Sequence, residues 1–531
     1  MLVGPVVDLR KTAVTLTALL TTGLVAPVVA PSADAVVVRP ALAAAAKAGP
    51  TKTDGCLKSV PEPGSTTPVK ICYSIFKPAG ATARKRVPML MHSHGWGGSR
   101  VTKAADLKEY LAAGYGVLSF DQRGFGESGG QAHVESPSRE GADVRRLVGL
   151  ISRLPWVRQD AKGDPRLGAV GGSYGGGYQF VGAFEELRIH GKPVFDALAP
   201  EITWNSLKGS LAPDNVARTE WALALSAAAL PSNALPTNVY AALTEAAATG
   251  TWPDGNGPTG QDLDTFFKHN GPAWHVSQGR KLDIPVLFGQ GTTDGLFPLE
   301  QGLTNWRTAI TAKARKRSIF VGYNGGHVLP QVLPAGVNVT SDPCSKQLAG
   351  GNFRRLSIRF FDEQLKGRDR RLGGYGRIHL ATAASRCITV KSPDANRAVP
   401  IAGPVVSTTA AGVPLPYEIA AGPLKVAGTP YLTAAVTAAG VENRAFYGLA
   451  VGTSPLDAHL VQNNVLPLRE PTAVSGVRRR IALPSVAVDV PKGQHLYLLV
   501  SPLSDTFVGM ASRVPGVISL ADTVVHLPVV N

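Results

Sequence analysis

Three side chains, far apart in the chain, are of the types that together make a nucleophile. Ser173 lies in Gly171-Gly-Ser-Tyr-Gly175, Asp294 closes Gly289-Gln-Gly-Thr-Thr-Asp294, and His327 closes Tyr323-Asn-Gly-Gly-His327. A serine hydroxyl attacks poorly until a positioned base takes its proton, and that base needs an acid to hold its tautomer. The pattern G-x-S-x-G has a mechanical reason: a serine on a sharp strand-to-helix turn needs small neighbours where the chain passes itself closely. The helix that follows such a turn also aims its positive end at the reacting centre. A plainer reading makes Ser173 a helix cap, Asp294 a turn residue and His327 a surface histidine. The surrounding chain weighs against it. Each residue follows a short apolar run (Leu167 to Val170, Ile284 to Phe288, Ser318 to Gly322), and the order is serine, acid, histidine.

The elements needed to carry these residues can be read in order. Val69 to Phe76 alternates as an antiparallel strand does, Pro88 to His92 and Tyr115 to Phe120 are short apolar runs, and Phe195 to Ala199 is another. Between them, Val144, Leu147, Val148, Ile151 and Leu154 mark one face of a helix. Strand and helix in alternation predict an α/β domain with a mainly parallel sheet, whose reactive groups gather beyond the carboxyl ends of the strands. With serine, acid and histidine in this order, the expectation is an α/β-hydrolase fold. The tetrahedral intermediate of acyl transfer needs two donors. The backbone N–H of Tyr174 is one candidate; Trp96, in the loop His94-Gly-Trp-Gly-Gly98, is the other. His92 and His94 form an H-x-H fragment, but no third ligand lies near in the sequence, so the metal reading is the weaker one and no metal or organic cofactor is implied.

Residues 201–280 break the rhythm with Ala-rich helical segments (Trp221 to Leu230, Val239 to Ala248) and with Trp204, Trp221, Trp252 and Trp274, which reads as a helical cap inserted over the site. For any single tryptophan, a place in the cap's own core is the better expectation. The strands resume at Ile284, and a helix carrying Phe353, Leu356, Phe360, Phe361 and Leu365 closes this part. From about residue 375 short Val-, Leu- and Tyr-rich runs recur between Gly/Pro turns, Ile481 to Val490 among them, predicting a C-terminal all-β jelly-roll sandwich. The domain expectation is therefore a signal peptide at 1–35, a catalytic domain at 36–375 with the insertion at 201–280, and a β-sandwich at 376–531. The signal rests on Arg10 and Lys11, the apolar stretch Thr12 to Ala30 and the A-x-A of Ala33-Asp-Ala35, and it predicts a secreted protein. Four cysteines, Cys56, Cys72, Cys344 and Cys387, then suggest two disulfides, the economical pairing being Cys56–Cys72 and Cys344–Cys387.

Composition narrows the partners. With 44% hydrophobic and 17% charged residues the chain is globular, and 54 Lys+Arg against 38 Asp+Glu give a net charge of +16. The basic residues are scattered, with no long run interleaved with aromatics, which argues against nucleic acid and for either solubility or a loose association with an anionic cell surface. The sequence leaves the oligomeric state open.

Asp121-Gln-Arg-Gly-Phe-Gly-Glu-Ser-Gly129, Gly171-Gly-Ser-Tyr-Gly-Gly176 and Phe360-Phe-Asp-Glu-Gln-Leu-Lys-Gly367 before a β-rich tail resemble the X-Pro dipeptidyl-peptidase and cocaine esterase family of serine hydrolases. The resemblance spans about residues 60 to 530. It implies a helical cap, a non-catalytic C-terminal sandwich, Ser173, Asp294 and His327 as the triad, and Tyr174 as a backbone donor. Several members of that family place a tyrosine hydroxyl where this loop carries Trp96, so the second donor would be the backbone or the indole N–H of Trp96. The family contains esterases and peptidases. Three activities follow as expectations: an acyl esterase, an Xaa-Pro dipeptidyl-peptidase requiring a carboxylate for the substrate's ammonium (Glu201, Glu220 and Asp254 are in the insertion), and a non-catalytic glycan-binding protein.

Overall fold

The computed structural model describes residues 49–329, 337–462, 464–507, 512 and 514–530; the expected signal peptide lies outside them. Ten strands form one sheet: β1 (Thr51–Ser59), β2 (Val69–Lys77), β3 (Met89–Ser93), β4 (Gly116–Phe120), β5 (Leu167–Gly172), β6 (Ala197–Glu201), β7 (Leu287–Gly291), β8 (Ile319–Tyr323), β9 (Arg377–Ala381) and β10 (Cys387–Val390). Their spatial order is β1-β2-β4-β3-β5-β6-β7-β8-β9-β10. Strands β4 and β3 through β9 run parallel, while β1, β2 and β10 pair antiparallel at the two edges. The central strands are buried along their length, as parallel strands covered on both faces must be.

Helices cover the two faces. On one lie α1 (Glu140–Ile151), α2 (Tyr174–His190) and, farther along the chain, Leu299–Thr308, contributing Val144, Leu147, Phe180, Phe184, Leu303 and Trp306 to the core. On the other, Phe353–Lys366 presents Leu356, Phe360, Phe361 and Leu365, the apolar face expected of it. Asn352 caps this helix through the N–H of Arg355, and Gly367 ends it in the left-handed conformation.

Both disulfides join the expected pairs. Cys56 stands directly across from Cys72 in the β1–β2 ladder, and Cys344–Cys387 ties the helix Pro343–Ala349 to β10. β1 was not evident in the sequence, since TKTDGCLKS lacks the apolar alternation of a half-buried strand, and its residues are in fact mostly exposed.

Between β6 and β7 the chain leaves the sheet and forms a helical insertion. Its two longest helices are α3 (Thr219–Ala229) and α4 (Thr237–Thr249), within a residue or two of expectation. The C-terminal region is all-β, with two principal sheets of five strands each. One has the order Arg397–Pro400, Val517–Leu527, Tyr431–Ala439, Val474–Ala482, with Val405–Thr408 also paired to Val517–Leu527; the other has Leu415–Ala421, His495–Ser501, Asn443–Gly452, His459–Leu460, with Leu466–Glu470 also paired to Asn443–Gly452. Leu432, Val436, Leu449, Leu498, Leu520 and Val525 share the core of this region.

Two boundaries differ from expectation. The hydrolase sheet runs past residue 375 to Val390, because β9 adds in parallel to β8 and β10 returns beside it. A short β-like run read by composition alone carries no mark of the sheet it will join. The single run expected from Ile481 to Val490 is two strands, Val474–Ala482 and Val486–Val490, in different sheets. Pro484 separates them: with no N–H to give, it cannot sit inside a ladder.

Candidate active site

Ser173 sits between the end of β5 and the first turn of α2 with φ 58 and ψ −122, a positive-φ conformation that costs a non-glycine residue of order 1–3 kcal/mol. Its N–H donates to the carbonyl of Glu201 on the neighbouring strand, 2.9 Å away. The tight crossing requires glycine: a Cβ at Gly175 would stand 2.4 Å from the carbonyl oxygen of Ser93. The serine side chain makes no capping bond to the helix. Its Oγ lies 2.8 Å from His327 Nε2, and His327 Nδ1 lies 2.8 Å from Asp294 Oδ2. The predicted three residues are thus joined in one hydrogen-bonded chain.

Asp294 is fully buried. Its Oδ1 accepts the N–H groups of Leu296 and Phe297 at 2.9 and 2.7 Å, which leaves Oδ2 for the imidazole and fixes the carboxylate plane. Both loops approach through glycine. A Cβ at Gly326, where φ is +104, would fall 2.5 Å from Asp294 Oδ2. The His327 ring is packed edge-on by Trp221 and Phe297, with centroids at 5.9 and 5.1 Å. An imidazole held at both nitrogens and flanked by two aromatic rings has little freedom to turn from the serine.

The loop after β3 lies against the serine, since a Cβ on Gly95 would stand 3.7 Å from Ser173 Cβ. Among the described residues, neither the backbone N–H of Tyr174 nor that of Trp96 has a protein acceptor. The Trp96 indole N–H, the other donor considered, is engaged: it donates to the Leu225 carbonyl at 2.9 Å. That leaves the backbone N–H as the donor Trp96 can offer.

The Asp121–Gly129 motif positions this loop. Asp121 accepts the N–H of Arg100 (2.6 Å) and of Glu127 (3.0 Å) and pairs with the Arg100 guanidinium, so the turn around Phe125 is held from within. Phe125 then meets the Trp96 ring edge-on at 4.8 Å. The Gln122 N–H donates to His94 Nε2, and His94 Nδ1 bonds the Gly95 carbonyl, an arrangement that needs a neutral imidazole. Burial holds His94 below its usual titration range accordingly. His92 bonds Ser119 instead, and burial lowers it to about 4. The two histidines therefore serve separate structural bonds, and among the described residues no group of three or more His, Cys, Asp or Glu is arranged to hold a metal.

Ser173 opens into a cavity of about 50 Å³ walled by Trp96, Tyr174, Trp204, Leu225, Leu243 and Phe297 among others, none of them charged. Two of the four tryptophans expected in the insertion thus face the site, Trp204 in the wall and Trp221 on His327, while Trp252 is buried and donates its indole N–H to Asp264. The wall also takes Val134, in a turn where Val134 and Glu135 both have positive φ. Sequence reasoning missed these wall residues, because an apolar side chain in a wall looks like one in a core. The three acids of the insertion do not join the wall. Glu201 packs beside Gly172 and Gly289 and accepts the Tyr323 hydroxyl at 3.2 Å; desolvation pushes its carboxyl up to about 7. Glu220 is at the first turn of α3, and Asp254 is exposed and accepts from Asn256.

The sheet order, the strained serine turn and the crossover helices define an α/β hydrolase fold. The family model of X-Pro dipeptidyl-peptidase (S15 family) matches residues 67–328, and that part of the chain belongs to this family. Among solved structures, a CocE/NonD family hydrolase from Staphylococcus aureus superposes over 91% of this chain and 97% of its own at 14% identity, TM-score 0.62. An α-amino acid ester hydrolase covers 93% and 98% at 14% identity, TM-score 0.59. An aminopeptidase from a marine sediment Thaumarchaeota archaeon covers 90% and 97% at 14% identity, TM-score 0.60. These likenesses span the all-β region as well and establish the shared fold. An uncharacterized 31.7 kDa protein of Escherichia coli is 32% identical over 104 residues, 19% of this chain; the chain spans 34% of the length of that relative.

Proposed function

We propose that the chain is a secreted serine esterase that cleaves esters of apolar acyl groups through an acyl-enzyme. The observation that carries this reading is the Ser173–His327–Asp294 chain opening directly into a cavity whose wall bears no charge. His327 Nε2 takes the Ser173 proton as Oγ attacks the ester carbonyl; Asp294 holds Nδ1–H and stabilises the imidazolium that forms. The backbone N–H groups of Tyr174 and Trp96 receive the oxyanion, with the positive end of α2 behind them. The imidazolium returns its proton to the leaving alcohol, and a water, activated by the same base, releases the acid. The insertion at 201–280 acts as a cap that supplies the acyl wall, and the all-β region is a jelly-roll support for it. Two disulfides favour an oxidising compartment, in keeping with export by the N-terminal segment.

A dipeptidyl-peptidase has to balance an α-ammonium beside the acyl site, and burying that charge unpaired is prohibitively costly. Glu201, Glu220 and Asp254 all lie off the wall, which favours the esterase. A glycan-binding role calls for an exposed aromatic strip; among the described residues the exposed large hydrophobics include no aromatic. The test is a paired rate assay of wild type and Ser173→Ala on p-nitrophenyl butyrate and on Ala-Pro-p-nitroanilide. Turnover of the ester alone, absent in the variant, is the expected result. Cleavage of the anilide with a requirement for a free amine would replace the esterase with the peptidase. Equal rates in variant and wild type would sink the mechanism.

A further inference from the structure

Beyond Glu220 in its first turn, helix α3 is apolar on both sides. Its inner side belongs to the site: Trp221 abuts His327, and Leu225 lines the cavity and receives the Trp96 indole. Its outer side is just as apolar. Leu223 is 51% exposed and Leu230, one residue past the helix end, is 60% exposed, with exposed Ala227 between them. The spacing i, i+4, i+7 places the three on one stripe. Residues 221–244, from the third residue of α3 into α4, contain no Asp, Glu, Lys, Arg or His, in a chain that is 17% charged. Two hydroxyls in it bond back to their own helix: Ser226 Oγ donates to the Ala222 carbonyl at 2.8 Å and Thr244 Oγ1 to the Tyr240 carbonyl at 2.9 Å.

We propose that the outer stripe of α3 docks on the surface of an anionic lipid layer, and that the esterase takes its acyl esters from that layer. The proposal rests on the esterase reading above and adds where the substrate is met. Two observations select lipid as the occupant. The chain carries a net charge of +16, which draws it to an anionic surface, while the stripe itself offers apolar side chains and no ion pair to a partner. The second is continuity with the site. The helix that meets the interface is also a wall of a cavity of only about 50 Å³. A shift of α3 toward an apolar phase would enlarge that cavity on the side from which the acyl chain arrives.

The test uses the full mature chain and large unilamellar vesicles of phosphatidylcholine, with and without 30 mol% phosphatidylglycerol. Wild type should float with the anionic vesicles. L223S/L230S should bind them at least about tenfold more weakly while hydrolysing soluble p-nitrophenyl acetate within about twofold of wild type. No flotation by wild type, equal binding to neutral vesicles, or binding untouched by the double substitution would overturn the proposal. So would a dimer in solution that the double substitution dissociates, since the stripe would then belong to a second copy. A wild type that floats as expected but hydrolyses no ester would instead sink the esterase reading and leave the docking surface standing.

Discussion

At the scale of single residues, the site joins a serine in a strained turn to a histidine and an aspartate that packing and hydrogen bonds hold rigidly. Asp294→Asn keeps the geometry but favours the wrong histidine tautomer, so kcat should fall by about 10³–10⁴ with little change in KM, measured on p-nitrophenyl butyrate. The strain at Ser173 can be read from stability. Glycine accepts φ 58 and ψ −122 and alanine does not, so Ser173→Gly should be more stable than Ser173→Ala by roughly 1 kcal/mol in urea unfolding, both being inactive. Glu201 offers a pH test. Its folded pKa, about 7, is raised above the ordinary 4.5, so the native state holds a proton that the unfolded chain has lost between these values. Stability should therefore decline as pH rises from about 4.5 to 7, by roughly 1–3 kcal/mol from this group alone. Glu201→Gln, which keeps an acceptor for the Tyr323 hydroxyl, should remove that part of the decline in urea titrations at pH 5 and pH 8.

At the scale of elements, the crossing of the serine turn over β3 tolerates no side chain. A Cβ at Gly175 meets backbone, which cannot move aside as a flexible side chain would, so Gly175→Ala should fail to give folded protein by circular dichroism. The two disulfides differ in what they constrain. Cys56–Cys72 cross-links a ladder already in register, whereas Cys344–Cys387 closes a 43-residue separation between a helix and an edge strand. C344S/C387S should therefore destabilise by about 2–4 kcal/mol, and more than C56S/C72S, a ranking that a thermal melt reads directly.

At the scale of the molecule, the all-β region is joined to the hydrolase through apolar contacts. Val216, Ala217 and Ala246 of the insertion share a core with Phe446, Val465 and Phe507. Arg218, almost fully buried, lies over the Phe507 ring and donates Nε–H to the Ser210 carbonyl. Elsewhere Ala427 and Ala487 pack into the core of the hydrolase sheet. Parts joined through buried core should unfold together. Phe446→Ala is accordingly expected to lower stability by about 3–5 kcal/mol and to shift one calorimetric transition rather than split it; two resolved transitions in wild type would show the halves to be independent.

What the sequence determined by itself was local. The serine turn, the acid and histidine loops, the strand–helix rhythm and the closing helix are each written within a few residues, where backbone sterics and side-chain periodicity dictate conformation. What the tertiary structure alone decided depended on contacts between distant segments. Among these are the assignment of β9 and β10 to the hydrolase sheet, the splitting of the run around Pro484 and the engagement of the Trp96 indole by Leu225. The same holds for the acids of the insertion: Glu201 is near the serine in space, yet its carboxyl turns to Tyr323 and away from the cavity. An acid's charge and an apolar side chain's bulk are visible in a sequence; which surface each faces is set only when distant chain segments pack and exclude water.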